Sequence, residues 1–196
     1  MFKKSLLATL CVVSAALAVS PVSKASAEIK FGVMANRGEL AAQNEWTPFA
    51  EYLSGKVGQP VSLVVFPIEK TYEMVESKAV DFVLTNPVQS AGIVKKYGGK
   101  TIASRETSEG KQFGGVIIAS KKSGIAKSED LRGKKVMAYN PTSAGAYVFQ
   151  RYHLFKKGID VTKDVAEMKF AKKQDDIVLA TRAGLVDAGF VRTSLL

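Results

Sequence analysis

Strand-like and helix-like segments alternate between residues 29 and 193, and this alternation limits the possible folds more than any other sequence feature. Residues 29–34 and 61–66 are runs rich in β-branched and other apolar residues, typical of strands. Between them, Phe49, Leu53 and Val57 recur at helical spacing. The alternation predicts an α/β architecture, in which helices pack on a largely parallel sheet.

The alternating segments divide into two units separated by a polar connector at residues 106–111, which contains Gly110. Each unit has several predicted strands: 29–34, 61–66, 82–84 and 100–104 in the first, and 114–120, 135–139, 166–170 and 187–191 in the second. We therefore predict two α/β units, residues 28–105 and 112–188. Residues 189–196 are predicted to cross back toward the first unit.

The N-terminal residues have the features of a signal peptide. Lys3 and Lys4 precede an apolar run from residue 6 to about residue 19, and Ala25-Ser26-Ala27 has the small-x-small pattern of a cleavage site. The run is shorter than the roughly 20 apolar residues that span a bilayer. We therefore predict that residues 1–27 are removed and that the protein is periplasmic, with no stable membrane insertion.

Composition narrows the classes of partner. The chain has 28 Lys and Arg against 18 Asp and Glu, a formal net charge of +10, which favours anionic partners in general. The lysines occur mostly as scattered pairs, without the interleaved aromatic residues on which a single-strand binder stacks bases. We therefore expect no nucleic acid, although the charge by itself does not choose between lipid headgroups and a small anionic ligand.

The residues that usually carry catalysis or bind metals are scarce. Cys11 is the only cysteine and lies in the predicted signal peptide, and His153 is the only histidine. No G-x-S-x-G nucleophile elbow occurs, and the chain has no cluster of ligands at metal-binding spacing. The sequence therefore predicts no catalytic residues, no metal site and no cofactor.

Three of the predicted loops lie at strand ends, where ligands of open α/β sheets bind: residues 35–38, 85–87 and 140–145. In the second unit, Thr142, Ser143 and Gly145 precede or begin a predicted helix at residues 143–157. Unpaired amides and the dipole at a helix start can hold an anion, although Ser and Thr are equally common as ordinary N-caps. In the first unit, Thr85 and Asn86 suit a polar ligand or simple turn chemistry.

Four segments together resemble the phosphate/phosphonate-type periplasmic binding proteins of ABC importers. The resemblance extends to a branch whose domains serve as extracytoplasmic sensors of two-component histidine kinases. It covers nearly all of residues 29–193 and is carried by FGVMANRGELAAQNEWTPFAEYLSGKVGQPVSLVVF, DFVLTNPVQSAGIVKKYG, FGGVIIASKKSGIAKSEDLRGKKVMAYNPTSAGAYVF and VDAGFVRT.

The resemblance implies a type II periplasmic-binding-protein fold, in which two α/β lobes enclose a ligand cleft and move about a hinge. It implies that residues 142–145 bind an oxyanion through hydroxyls and backbone N–H groups. Tyr72, Thr85 and Asn86 would contact the rest of the ligand. Arg192 would lie near the hinge, where a structural bridge between strands is the other interpretation.

The resemblance also implies the partners, either an ABC permease or a sensor kinase.

Three positions depart from the family pattern: Ala144 replaces a third hydroxyl, Ser90 lies near a tyrosine position and Gln174 near a histidine position. These departures leave open another oxyanion or an organic molecule as the ligand. Because family members return to complete the first lobe, we expect that lobe to be incomplete here, and residues 1–196 alone to be poorly soluble or oligomeric.

Overall fold

The computed structural model describes residues 27–106 and 110–196, which form a three-stranded sheet and a four-stranded sheet. The predicted signal peptide, apart from Ala27, and residues 107–109 of the predicted connector lie outside the described residues. We call the three-stranded sheet with its helices the first lobe, and the four-stranded sheet with its helices the second lobe.

The first lobe is built from parallel strands in the order β2-β1-β3. Its elements are β1 (Ile29–Met34), α1 (Glu39–Val57), β2 (Val61–Phe66), α2 (Thr71–Glu76), β3 (Phe82–Leu84) and α3 (Pro87–Tyr97). Gly58 and Gly98 end α1 and α3 in the left-handed conformation, which glycine adopts without steric cost. The carboxyl ends of the three strands therefore meet at one edge of the sheet.

The second lobe has a mixed sheet in the order β4-β7-β5-β6. Its strands and helices are β4 (Gly115–Ala119), β5 (Lys135–Ala138), α4 (Phe149–Lys156), β6 (Glu167–Phe170), α5 (Gln174–Ala183) and β7 (Ala188–Arg192). β7 is parallel to β5 and antiparallel to β4, and β6 is parallel to β5. The prediction of α/β layers on a largely parallel sheet is confirmed, with β4 as the antiparallel exception.

Two predicted elements differ in the structure. Residues 100–104 were predicted as a strand, but they form no regular element. The predicted helix 143–157 is divided into a π-helical turn, Ala144–Val148, and α4. Ala146 has non-helical angles (φ −124°, ψ 26°), and its carbonyl oxygen accepts a hydrogen bond from Tyr139 N, so that carbonyl is diverted from the helical pattern.

The hydrophobic core consists of two clusters. One lies within the second lobe and includes Leu131, Leu154 and Phe190, each fully buried. The other joins the lobes: Met34, Phe66, Ile68 and Val80 of the first pack with Tyr139, Ala146, Ile177 and Val191 of the second. The lobes therefore meet through a shared apolar layer beside the carboxyl ends of β1 and β5.

None of the helices in residues 27–106 and 110–196 combines the length and apolar character needed to cross a bilayer.

Candidate ligand-binding site

Polar side chains of the two lobes meet directly where their strands end, and we call this contact region the interlobe crevice. Gln89 Nε2, on α3 of the first lobe, donates to Thr142 Oγ1 of the second lobe at 3.2 Å. Asn140 Nδ2, after β5, donates to Glu69 Oε1, after β2, at 2.9 Å. The side chains therefore hold the crevice closed in this structure.

The loop after β1 makes the other polar contacts between the lobes. Arg37 Nε lies 3.0 Å from Asp175 Oδ2 at the start of α5, and Asn36 O accepts from Gln174 N at 3.2 Å. The Arg37 and Asp175 side chains are 63% and 37% exposed, so solvent weakens their attraction. This pair lies at the rim of the crevice, whereas Gln89 is buried.

Gln89 is the centre of the buried hydrogen-bond network. Its side chain is 1% exposed, and its Oε1 accepts from Thr85 Oγ1 at 2.8 Å and from Asn86 Nδ2 at 3.3 Å. Its Nε2 donates to Ile68 O at 3.0 Å as well as to Thr142. Because a buried amide requires partners for both ends, this network fixes Thr85, Asn86 and Thr142 relative to one another.

Asn86 is the N-cap of α3. Its Oδ1 accepts from Val88 N at 3.0 Å and from Gln89 N at 3.1 Å, and Pro87 occupies the first helical position. The oxygen of Asn86 therefore performs the turn and capping role that the sequence left open. A ligand contact by Asn86 stays a prediction.

The segment after β5 is organised by Asn140. Asn140 Oδ1 accepts from both Thr142 N, at 2.9 Å, and Thr142 Oγ1, at 2.8 Å. The Thr142 hydroxyl therefore donates to Asn140 and accepts from Gln89. Ser143 N donates to Asn140 O at 2.9 Å, and Ser143 is 4% exposed. The segment enters the π-helical turn with its direction set by these bonds.

The first amides of the π-helical turn are hydrogen-bond donors without a protein acceptor. Ala144, Gly145 and Ala146 are buried, and among the described residues the structure shows no acceptor for their N–H groups. Buried backbone donors are normally satisfied, and a ligand or water can supply the missing acceptor. These three N–H groups follow Thr142 and Ser143 directly, so five consecutive residues can supply hydroxyl or amide donors.

Gly145 and Arg192 both pack against Phe113, just before β4 begins. A Cβ on Gly145 would lie 3.0 Å from Phe113 Cε2 and 3.2 Å from Gly114 O, so a larger residue would fit only if these neighbours moved. The Arg192 guanidinium lies over the Phe113 ring, with Cζ 4.4 Å from its centroid. Thr193 N donates to Gly114 O at 3.0 Å. The structure therefore gives both predicted residues a packing role beside Phe113.

Tyr72 has neighbours that do not belong to the Gln89 network. Its ring centroid is 6.3 Å from that of Tyr97, and its hydroxyl occupies the space that a Cβ on Gly92 would need. Tyr72 lines a shallow surface cavity with Gly92, Lys95 and Lys96. The structure thus brings together Thr85, Asn86, Thr142 and Ser143 and sets Tyr72 beside α3.

Several residues of the site carry no recognisable sequence signal. Glu69 and Asn140 are a lone carboxylate and a lone amide, whose pairing depends on the packing of the lobes. Gln89 alone had a local signal, because it follows the N-cap Asn86 at the three-residue spacing of a capping box. Its side chain instead accepts from Thr85 and Asn86 and reaches across the crevice.

The wall of the crevice includes a tyrosine that keeps its proton. Tyr139 is 3% exposed, and burial, together with the nearby Glu69 carboxylate, raises its pKa above the usual value of 10.0. The Tyr139 hydroxyl is therefore neutral at physiological pH.

Among residues 27–106 and 110–196, no group of three or more potential ligands is arranged to hold a metal ion.

Two α/β lobes whose polar side chains meet between them are the arrangement found in periplasmic binding proteins. The chain belongs to the family described as ABC transporter, phosphonate, periplasmic substrate-binding protein, whose profile matches residues 31–196. The resemblance deduced from the sequence is thereby confirmed. Membership of this family implies a location outside the cytoplasm.

One curated relative is a sensor kinase. The chain is 30% identical over 171 residues to the tetrathionate sensor histidine kinase of Salmonella typhimurium, a match that covers 84% of this chain and 29% of the kinase. The chain therefore spans less than a third of that relative. The match fits the sensor branch of the family.

Solved structures share the fold. A binding protein component of an ABC phosphonate transporter from Pseudomonas aeruginosa superposes with a TM-score of 0.77 at 20% identity, covering 85% of this chain and 57% of that one. A binding protein from Prochlorococcus marinus, solved with methylphosphonate, gives a TM-score of 0.76 at 16% identity, with coverages of 86% and 64%. The prediction of a type II periplasmic-binding-protein fold is confirmed, and this chain spans about three fifths of these relatives.

Proposed function

We propose that this protein binds a small oxyanion in the interlobe crevice and delivers it to the permease of an ABC importer. Ser143 would donate its hydroxyl, and Ala144, Gly145 and Ala146 their backbone N–H groups. The Thr142 hydroxyl, which donates to Asn140 in this structure, would turn to the ligand. The other wall would come from Thr85 and Asn86 on the first lobe. The proposal assigns binding and release, with no chemical change of the ligand.

The observation that carries this proposal is the run of buried N–H groups at residues 144–146, which have no acceptor among the described residues. Hydrogen bonds to a charged acceptor are stronger than neutral ones, so an oxyanion would satisfy these donors better than water. The Thr142 hydroxyl is shared with Gln89 of the first lobe. A ligand that bonds to Thr142 would thus affect the contact between the lobes.

The candidate ligands are oxyanions of phosphorus or sulfur. The relatives are named for phosphonate, methylphosphonate and tetrathionate, which share oxygen atoms with delocalised negative charge. A cluster of hydroxyl and amide donors matches that shared chemistry. The Glu69 carboxylate beside Asn140 disfavours an additional negative charge at that end of the crevice.

The second candidate function is ligand sensing for a histidine kinase. It is favoured by the 30% identity to a sensor kinase, over 84% of this chain. In this role, ligand-dependent closure of the lobes would change the state of a kinase. Ligand-dependent uptake by cells that produce this protein together with an ABC permease would support the importer role. Ligand-dependent kinase autophosphorylation without uptake would support the sensor role.

A thermal-shift screen tests oxyanion binding. The probes are phosphate, methylphosphonate, sulfate, an alkanesulfonate and tetrathionate. A ligand present at 100 times its Kd stabilises the native state by about 2.7 kcal/mol. We expect at least one probe to raise the Tm of the parent, and mass spectrometry to recover that probe unchanged.

Variants assign the effect to the proposed donors. The double variant Thr142→Ala with Ser143→Ala should lose the response. The control pair Thr47→Ala with Ser77→Ala removes the same hydroxyls from exposed positions of the first lobe and should keep it. An unchanged response in the Thr142 and Ser143 variant would show that the donors lie elsewhere.

A further inference from the structure

The outer side of α4 carries large aromatic side chains that lie in solvent. Tyr152 is 64% exposed and Phe155 is 66% exposed, and Phe149 at the start of the helix is 37% exposed. In α4 only Gln150 and Leu154 are buried. Aromatic side chains of this size usually bury most of their surface, so their exposure here calls for a partner.

Helical geometry places basic residues on both sides of these aromatic rings. At 100° per residue, Arg151, Phe155, Tyr152 and Lys156 fall in sequence around the arc opposite the buried residues. Lys156 Nζ lies 5.8 Å from the centroid of the Tyr152 ring. We call these four residues, with Lys157 at the end of the helix, the α4 stripe.

The α4 stripe keeps a net positive charge, although Arg151 interacts electrostatically with Asp160 and Lys157 Nζ donates to Ser128 Oγ at 3.3 Å. Residues 139–159 contain no Asp or Glu, and the ion pairs among the described residues include none of Arg151, Lys156 and Lys157. The acids that follow α4 are already paired: Asp160 with Lys163 at 3.9 Å and Asp164 with Arg132 at 2.7 Å. The stripe therefore attracts an anionic surface.

Shape and charge together select the kind of partner. A second copy of this chain would bring like charges together if the stripes met. The stripe is also convex, because it lies on the outside of a single short helix. A lipid interface accepts projecting aromatic rings at the level of its headgroups, and anionic lipids attract Lys and Arg.

We propose that the α4 stripe is a docking surface for an anionic membrane, with Tyr152 and Phe155 entering the headgroup layer and Arg151, Lys156 and Lys157 contacting lipid phosphates. The family functions in ABC transport, which takes place at a membrane. Docking would hold the second lobe against the bilayer and leave the interlobe crevice free. The proposal does not depend on the identity of the solute.

Cosedimentation with vesicles tests the docking surface. The protein is purified from the extracytoplasmic fraction of an expressing bacterium and mixed with vesicles of phosphatidylcholine alone or of phosphatidylcholine with phosphatidylglycerol. We expect binding to the anionic vesicles only, weakened by salt. Lys156→Gln with Lys157→Gln should weaken binding by about fivefold for each cation removed. Tyr152→Ser with Phe155→Ser should also weaken it.

The matched control is Lys95→Gln with Lys96→Gln, which removes the same charge from the end of α3 in the first lobe. This control should bind as the parent does, and circular dichroism checks that each variant is folded. Equal weakening by the control, or no effect of the aromatic variant, would overturn the proposal in favour of general charge attraction. Capture by immobilised polyglutamate without vesicle binding would overturn it in favour of an acidic protein.

Discussion

Gln89 shows how much of the site depends on a single side chain. Its amide joins Thr85 and Asn86 of its own lobe to Thr142 of the other. A glutamine in a helix gives no periodic signal, and its partners are 53 residues away in one direction and three or four in the other. Sequence reasoning therefore found Thr85, Asn86 and Thr142 but missed the residue that connects them.

Gln89→Ala is expected to destabilise the protein by about 1–3 kcal/mol, because the buried Ile68 carbonyl and Thr142 hydroxyl lose a donor. Chemical denaturation monitored by Trp46 fluorescence measures the change. Gln43→Ala, at an exposed position of α1, is the matched control and should alter stability by no more than about 0.5 kcal/mol. Equal losses in the two variants would contradict the proposed importance of the network.

Asp130 supplies a prediction for acidic pH. Hydrogen bonds from Ala126 N and Lys127 N hold the pKa of its carboxyl below the ordinary value of 3.8. A lowered folded-state pKa contributes stability above the unfolded-state pKa, and that contribution is lost as the pH falls through the folded-state value. Asp130→Asn should therefore reduce the fall in Tm between about pH 6 and about pH 3.

The neighbouring carboxylate provides the control for this measurement. Among the described residues, the structure shows no backbone N–H donating to the side chain of Glu129. Glu129→Gln should leave the pH profile of the Tm closer to that of the parent. A profile of Asp130→Asn that matches the parent would argue against the lowered pKa.

Among the elements, most strands and helices could be predicted because the residues within each one show the periodicity or composition typical of that element. Residues 61–66 and 135–138 are apolar or β-branched runs ended by turns, and the observed bounds differ little from the predicted ones. Residues 100–104 have the same character, but the described residues offer them no ladder partner. Strand formation requires a neighbour, and local sequence does not specify one.

The region around residue 146 shows a second feature that local sequence does not predict. Ala144, Gly145 and Ala146 are compatible with a helix start, and the sequence predicts one continuous helix. The structure instead has a π-helical turn at this point, in which Ala146 O accepts from Tyr139 N. The amides at residues 144–146 lack acceptors as the first amides of any helix do, and the turn sets their direction. The sequence thus predicted where the donors lie, whereas tertiary contacts determine their geometry.

Alanine substitutions at two glycines in different elements should change the stability of the protein in opposite directions. In β7, a Cβ on Gly189 would lie 2.6 Å from both Ile177 Cγ2 and Thr181 Oγ1, so Gly189→Ala should cost about 1–3 kcal/mol through overpacking. In α1, Gly55 has open space around it, and Gly55→Ala should stabilise by about 0.5–1 kcal/mol. Calorimetry of the two variants checks the signs. Destabilisation by Gly55→Ala would contradict the open space described around α1, and no destabilisation by Gly189→Ala would contradict the packing described for β7.

For the molecule as a whole, the described contacts between the lobes include a buried neutral hydrogen bond, a bond from Asn140 to the Glu69 carboxylate, and an exposed ion pair. Gln89 and Thr142 lie inside, and Arg37 and Asp175 lie at the rim. An exposed pair contributes little to folding stability, typically less than about 1 kcal/mol. It connects the two lobes directly, however, so it affects how often the crevice opens.

Arg37→Asp should open the crevice without unfolding either lobe, because it places two carboxylates opposite each other. Small-angle X-ray scattering should show a larger radius of gyration than the parent, with a Tm that changes little. Arg132→Asp makes the same charge change at a pair with Asp164 inside the second lobe and should leave the radius unchanged. Identical scattering by the two variants would show that the rim pair does not hold the lobes together.

The Gln150 side chain determines how rigid the donor loop at residues 142–146 is before a solute binds. Its Nε2 lies within 2.7–3.2 Å of the carbonyl oxygens of Gly145, Val116 and Val191, which connects the donor loop to both strands that lead toward the first lobe. We therefore expect the loop to travel with those strands as one rigid body. An empty receptor would then present preorganised donors, and little affinity would be lost to ordering them at the moment of capture.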